Sequence, residues 1–268
     1  MYKIFCEDHI LNRYSFCHLM NVTAFLTALS VFFPTGLVHS SWAAVTVDHS
    51  VYAELLNKYV KEGVVDYQGF KNEETNLDQY LKVLEETDSS KLSRKEQFAF
   101  YVNAYNAWTI KLILSGYPGV KSIKEFGSIF KSPWKKKLAR IDGEIVTLDH
   151  IEHGILRPEY KDPRVHFAIN CASKGCPPLR SDPYRGDVLD QQLDEMARAF
   201  INDARRNRLE GKTLYVSPIF KWFKEDFNDD IVGFFQEYAE GDLKKKLDSS
   251  LEEIKVKYLF YDWSLNGK

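Results

Sequence analysis

A single α+β domain is the fold this sequence predicts, an antiparallel sheet packed against several helices, with a layout like that of papain or the transglutaminases as the expectation. Three observations carry the class: apolar residues at helical spacing in the first half of the chain, one capped run long enough to form a central helix, and an Asp-Gly turn between alternating segments with further strand-like runs after it. Residues 44–268 are expected to form that one domain, opening with a helical prelude.

The elements follow in order. Val51 to Glu62 carries Tyr52, Leu55, Leu56 and Tyr59 on one helical face, and Gly63 ends it. A second helix is expected around Leu77 to Glu86, broken by Asp88-Ser89-Ser90. Ser93 followed by Glu96 is a capping-box pattern and opens the longest helix, which runs to Leu114 before Gly116 and Pro118. Leu138 to Leu148 alternates about Asp142-Gly143, a hairpin signal. Asp149 with Glu152 suggests a capped short helix ending before Pro158. Arg164 to Asn170 reads as a strand, with His166, Ala168 and Asn170 on one face. Asp187 to Arg206 fits an amphipathic helix, Lys212 to Val216 a strand, Asp229 to Tyr238 a helix and Ile254 to Trp263 a last strand. Aromatic residues crowd Pro218 to Phe227, where packing into the core is favoured over a groove wall.

Residues 1–43 are expected to be a cleaved export signal. Val22 to Val38 is almost entirely apolar and leads to Ser41-Trp42-Ala43, where a signal peptidase would cut. Pro34 and Gly36 interrupt a run already short for a spanning helix of roughly 20 residues, which favours cleavage over a permanent anchor. The mature protein is therefore expected to be periplasmic or secreted, without stable membrane insertion. The leader's charges balance (Lys3 and Arg13 against Glu7 and Asp8), so the mature chain keeps the slightly acidic character of the whole, 36 basic against 38 acidic residues. That gives no electrostatic case for nucleic acid.

Loss of the leader removes Cys6 and Cys17 and leaves Cys171 and Cys176, five residues apart in one loop after an apolar run. An oxidising compartment favours a disulfide between them. A nucleophilic cysteine is the second reading, with His166 or His153 to take its proton. Zinc is the third, through Cys171, Cys176 and His166, but the spacing is not a zinc signature, and no metal or other cofactor is expected. Asn103 and Asn106 stand three residues apart on one side of the long helix among apolar neighbours. Buried amides need partners, so they either hold a neighbouring loop or, beyond that, orient a substrate or stabilise an oxyanion.

Four pieces together resemble the family known as domain of unknown function 547: Tyr101 to Ala107, Thr147 to Arg157, His166 to Pro178, and Trp222 with Asp226-Phe227. They span Gln97 to Phe227. The resemblance implies membership in a family that occurs in exported bacterial proteins and, in eukaryotes, beside modules including glutaredoxin-like ones; it implies no activity. Its recurrent polar positions fall on Asn103, Asn106, Glu152, His153, Arg157, His166, Cys171 and Cys176.

The leading expectation is an exported thiol-dependent hydrolase or acyl transferase acting on an amide or thioester of a small-molecule or peptide-like substrate. Cys171 would attack, His166 or else His153 would act as base, and Asn103 or Asn106 would support the oxyanion or orient the histidine. Glu152, Arg157, Asn170 and Cys176 would contact substrate. The alternative is a noncatalytic extracytoplasmic binding module stapled by a Cys171–Cys176 disulfide.

Overall fold

A helix of 21 residues, α4 (Arg94–Leu114), runs through the interior with almost every residue from Phe98 onward buried. An all-round apolar surface can be stable only if other elements enclose it. Those neighbours are helices α2 (Tyr67–Asn72), α3 (Glu74–Glu86) and α6 (Leu189–Ile201), a π-helix over His150–Tyr160, and strand β3 (Ala139–Ile141). The computed structural model describes residues 45–128, 130–250 and 253–268. The expected export signal, with Cys6 and Cys17, lies outside the described residues.

Most local expectations hold. Helix α1 (Ser50–Tyr59) buries Tyr52, Leu55 and Leu56, and stops before Val60–Lys61 (β1) pairs with Val64–Val65 (β2). Helix α3 starts three residues before Leu77. Helix α2 was not foreseen; it is capped by Asp66, whose Oδ1 accepts from Gly69 N at 2.9 Å. Ser93 Oγ caps α4 by accepting from Glu96 N at 3.3 Å. The hairpin about Asp142-Gly143 pairs Ala139 of β3 with Val146 of β4 (Glu144–Val146).

Two elements of the middle of the chain differ from expectation. The helix after Asp149 does not stop before Pro158: it continues to Tyr160 as a π-helix, whose wider turn accommodates a residue that cannot donate a backbone hydrogen bond. Thr147, not Asp149, caps it, its Oγ1 accepting from His150 N at 2.9 Å. Arg164 to Asn170 is not a strand; Val165–Ala168 form one helical turn, α5. Asp162 Oδ1 starts the turn by accepting from Arg164 N at 2.9 Å. All four residues of α5 are buried, so a face argument based on alternation had nothing to discriminate.

The second half is α6, shorter at its end than expected, then β5 (Arg208–Glu210), β6 (Thr213–Val216), α7 (Ile219–Trp222), α8 (Ile231–Tyr238), α9 (Gly241–Asp248) and β7 (Lys255–Tyr258). The α+β class stands, but the strands form three small sheets instead of one. They pair antiparallel except for β6 and β7, which are parallel. After β7 the chain runs back over the molecule. Asn266 N donates to Ala172 O at 3.1 Å and Lys268 N to Val65 O at 3.2 Å, which ties the cysteine loop and the β1–β2 hairpin to one segment. Among the described residues no helix is long and apolar enough to cross a membrane.

Candidate functional site

Three stretches distant in sequence converge around the cysteine loop. Asn106 Nδ2 on α4 donates to Ala168 O at 3.0 Å, and its Oδ1 accepts from Asn170 N at 2.8 Å, so one amide fixes the chain on both sides of Ile169. Asn170 then spans the loop: its Nδ2 donates to Pro177 O at 2.7 Å, and its Oδ1 accepts from Ala172 N at 2.8 Å and Asn266 Nδ2 at 3.1 Å. On the outer side Lys174 N donates to Ser264 O at 2.9 Å and Gly175 N to Asp262 O at 2.8 Å. A Cβ on Gly175 would stand 2.9 Å from the Tyr261 ring, so a glycine is needed for that approach. Cys171 and Cys176 are joined by a disulfide across this loop, with their Cα atoms 6.2 Å apart. Tyr261 Oη donates to Cys176 Sγ at 3.2 Å.

The disulfide forms part of the wall of a pocket of about 270 Å³. Tyr105 of α4, Asp149, Glu152 and His153 at the start of the π-helix, His166 of α5, and a set of aromatic side chains complete it. The aromatic set is Trp134, Trp222, Phe223, Tyr261 and Trp263. A larger open groove of about 1120 Å³ lies against Arg180, Arg185 and Glu96. Arg180 there is paired with Asp182 and Glu195 at 2.9 and 2.8 Å, and Arg185 with Asp187 at 3.3 Å. The smaller pocket is the candidate site because chemically distinct, perturbed groups meet in it.

His166 is 3 % exposed, and its ring stacks on Phe223 with centroids 3.9 Å apart. Its Nε2 lies 2.6 Å from Asp226 Oδ2. Arg157 grips the same carboxylate from the other side, Nε to Oδ2 at 2.6 Å and Nη2 to Oδ1 at 2.9 Å, and also reaches Glu225 at 2.7 Å and His153 Nδ1 at 2.9 Å. Burial pushes the Asp226 carboxyl up, but hydrogen bonds from His166 and Arg157 outweigh it and hold the group well below the usual carboxylate range. Burial lowers His166 despite the attraction of Asp226. A neutral imidazole beside an ionised carboxylate must donate from Nε2, which leaves Nδ1 as its basic nitrogen. His153 is also lowered, by burial and then by Arg157.

Glu152 is 8 % exposed, and burial pushes its carboxyl up to about 7, against the hydrogen bond of Tyr105 and the charge of Arg157. The pocket thus contains a carboxyl group that gains or loses its proton near neutral pH and a neutral histidine oriented by an aspartate. That is acid/base equipment.

The expected site residues divide accordingly. Glu152, His153, His166, Cys171 and Cys176 line the pocket. Asn106 and Asn170 hold its loop. Asn103 lies further along α4, where its Nδ2 donates to Tyr184 O at 2.8 Å and its Oδ1 accepts from Tyr184 N at 2.9 Å. Arg157 is engaged with Asp226 and Glu225. Asp226 is the functional residue that sequence reasoning misses, although it stands in a piece quoted for the family resemblance. Trp134 has no place among the sequence expectations, and Tyr261 and Trp263 fall in the expected last strand, which ends at Tyr258. The aromatic stretch divides as well: Phe220 and Phe227 enter the core, while Trp222, 46 % exposed, and Phe223 line the pocket. Among the described residues no three or more His, Cys, Asp or Glu side chains are grouped to hold a metal ion.

The molecule is thus an α+β protein with an aromatic-walled cleft in which a histidine, a carboxyl group and a disulfide meet. Residues 89–201 match the family described as "Protein of unknown function, DUF547". The match includes α4, the π-helix and the cysteine loop; Trp222 and Asp226 fall beyond it. No curated protein and no solved structure matches the chain.

Proposed function

We propose that the protein is an exported, periplasmic or secreted, thiol-dependent hydrolase or acyl transferase acting on an amide or thioester, on a fold of papain- or transglutaminase-like layout. The observation that supports this reading is the His166–Asp226 pair, 2.6 Å apart, in the same pocket as the Cys171 sulfur. A dithiol reductant opens the disulfide, giving two thiols and its own disulfide. His166 Nδ1 takes the Cys171 proton, the thiolate adds to the acyl carbon, and the leaving amine or thiol departs with that proton. Water or an acceptor amine then releases the acyl group from Cys171. His153 is the reserve base, Glu152 contacts substrate, and Asn106 and Asn170 position the nucleophile.

Amide and thioester substrates assayed with dithiothreitol test this. Turnover is expected to need the reductant and to fall by about 10³-fold or more in Cys171→Ala, with His166→Asn also strongly impaired. Undiminished turnover in folded Cys171→Ala rules the assignment out.

The disulfide itself favours a second reading, a noncatalytic extracytoplasmic binding module with the staple as a pocket wall. Ligand binding that weakens on reduction, without turnover of any substrate, separates it from the first.

A further inference from the structure

We infer that the group bound in the aromatic pocket is an organic cation, a protonated amine or quaternary ammonium, held against Trp134, Trp222 and Tyr261 with Glu152 as its counter-charge. The inference rests on the reading of this pocket as the ligand site and not on the thiol chemistry.

Ring geometry is the first support. Trp222 lies 4.8 Å from Tyr261 with the planes at 56°, Tyr261 lies 4.5 Å from Trp263 at 51°, and Trp134 lies 5.7 Å from Trp263 at 67°. Trp222 and Trp263 lie closer to parallel, 5.7 Å apart at 25°, while Trp134 and Tyr261 are inclined to them, so the cluster turns π faces and edges in more than one direction. Such faces attract a cation through the ring quadrupole, most strongly for tryptophan. The cluster already draws one ammonium: Lys124 Nζ stands 3.9 Å from the centre of the Trp263 ring.

Charge is the second support. The lining includes two carboxyl side chains, Asp149 and Glu152, and neither a lysine nor an arginine among the described residues. Arg157, whose charge acts on Glu152, is committed to Asp226 and Glu225 at 2.6 and 2.7 Å. A buried carboxyl group without an ion pair is costly to ionise, and a cation entering the pocket supplies the missing partner. An anionic ligand would find no lysine or arginine in the described lining to pair with it. A neutral apolar ligand would leave Glu152 with no use for its buried position.

The test compares alkylammonium ions (methylammonium, tetramethylammonium and choline) with neutral carbon isosteres such as 3,3-dimethylbutan-1-ol, using tryptophan fluorescence and calorimetry on the oxidised, full-length protein. At least one cation is expected to bind about tenfold or more tightly than its isostere. Trp222→Leu, at a half-exposed position whose loss does not threaten the core, and Glu152→Gln are each expected to weaken that binding by about tenfold. Cations and isosteres binding equally would overturn the inference while keeping the pocket as a ligand site. So would failure of every cation to bind while an uncharged thioester or amide is turned over. Failure of thiol-dependent turnover with cation binding intact would remove the hydrolase reading and leave this inference standing.

Discussion

Glu96, on α4, and Glu152, on the π-helix, are buried to nearly the same degree, 6 % and 8 % exposed, and their surroundings differ in one respect. Glu96 Oε2 accepts from Gly186 N at 2.7 Å and Oε1 from Val47 N at 3.4 Å, so the carboxylate joins two backbone segments. Glu152 has a tyrosine, a nearby charge and an aromatic pocket. Asn103 and Asn106 belong with Glu96, since both amides are filled by main-chain groups on either side. Burial of a polar side chain therefore does not identify a functional residue; what distinguishes one is whether the protein itself satisfies the group. Where it does, the residue builds the frame, and where it does not, a ligand can.

The largest effect expected on the frame side is from Asn106→Ala, which leaves Ala168 O and Asn170 N without their partner. At roughly 1–3 kcal/mol for each buried group, the variant should lose about 4 kcal/mol in urea unfolding. A loss below about 1 kcal/mol would mean that water replaces the amide and would break the contrast with Glu152.

On the pocket side, the carboxyl of Glu152 is raised from 4.5 to about 7 by burial, with Tyr105, Asp149, Asp226 and Arg157 as the groups that act on it. The folded protein keeps this proton over a range in which the unfolded chain has released it. Its stabilising contribution is complete below pH 4.5 and is lost as the pH rises through about 7. For a shift of this size the change is on the order of 3 kcal/mol. Wild type should therefore lose stability relative to Glu152→Gln across that window; unfolding curves at several pH values that run parallel would show a solvated carboxylate.

Glu96→Ala should cost about 2 kcal/mol, less than Asn106→Ala, because the open groove beside Gly186 lets water reach the freed N–H. Thermal unfolding checks the ranking, and a larger loss than for Asn106→Ala would reverse it. Reducing the disulfide should cost at most about 2 kcal/mol, the chain-entropy value for so short a ring. A greater loss on adding dithiothreitol would show that the staple belongs to the frame and not only to the pocket wall.

Legibility from sequence follows the same division. The capped start of α4, the Asp-Gly hairpin and the amphipathic face of α6 were readable because each is written in neighbouring residues: a cap three positions from its partner, a two-residue turn, a 3.6-residue period. Five pocket-lining residues, Glu152, His153, His166, Cys171 and Cys176, were also named, because their chemical types are unusual in the apolar or glycine-rich runs that hold them. The turn at Val165–Ala168 was misread, since a short run buried on every side has no polar face to reveal its period.

By itself the sequence determined the α+β class, the central helix, the polar residues worth watching and the closeness of the two thiols, all properties of spacing along the chain. Only the tertiary structure decided that Asp226 orients His166 across 60 residues. It alone brought Tyr261 and Trp263 back to the cysteine loop, and it alone gave Asn103 and Asn106 backbone partners while Glu152 received a pocket. Partners so far apart in sequence are chosen by packing, and a local pattern carries no record of which distant group will arrive to satisfy a buried donor or acceptor.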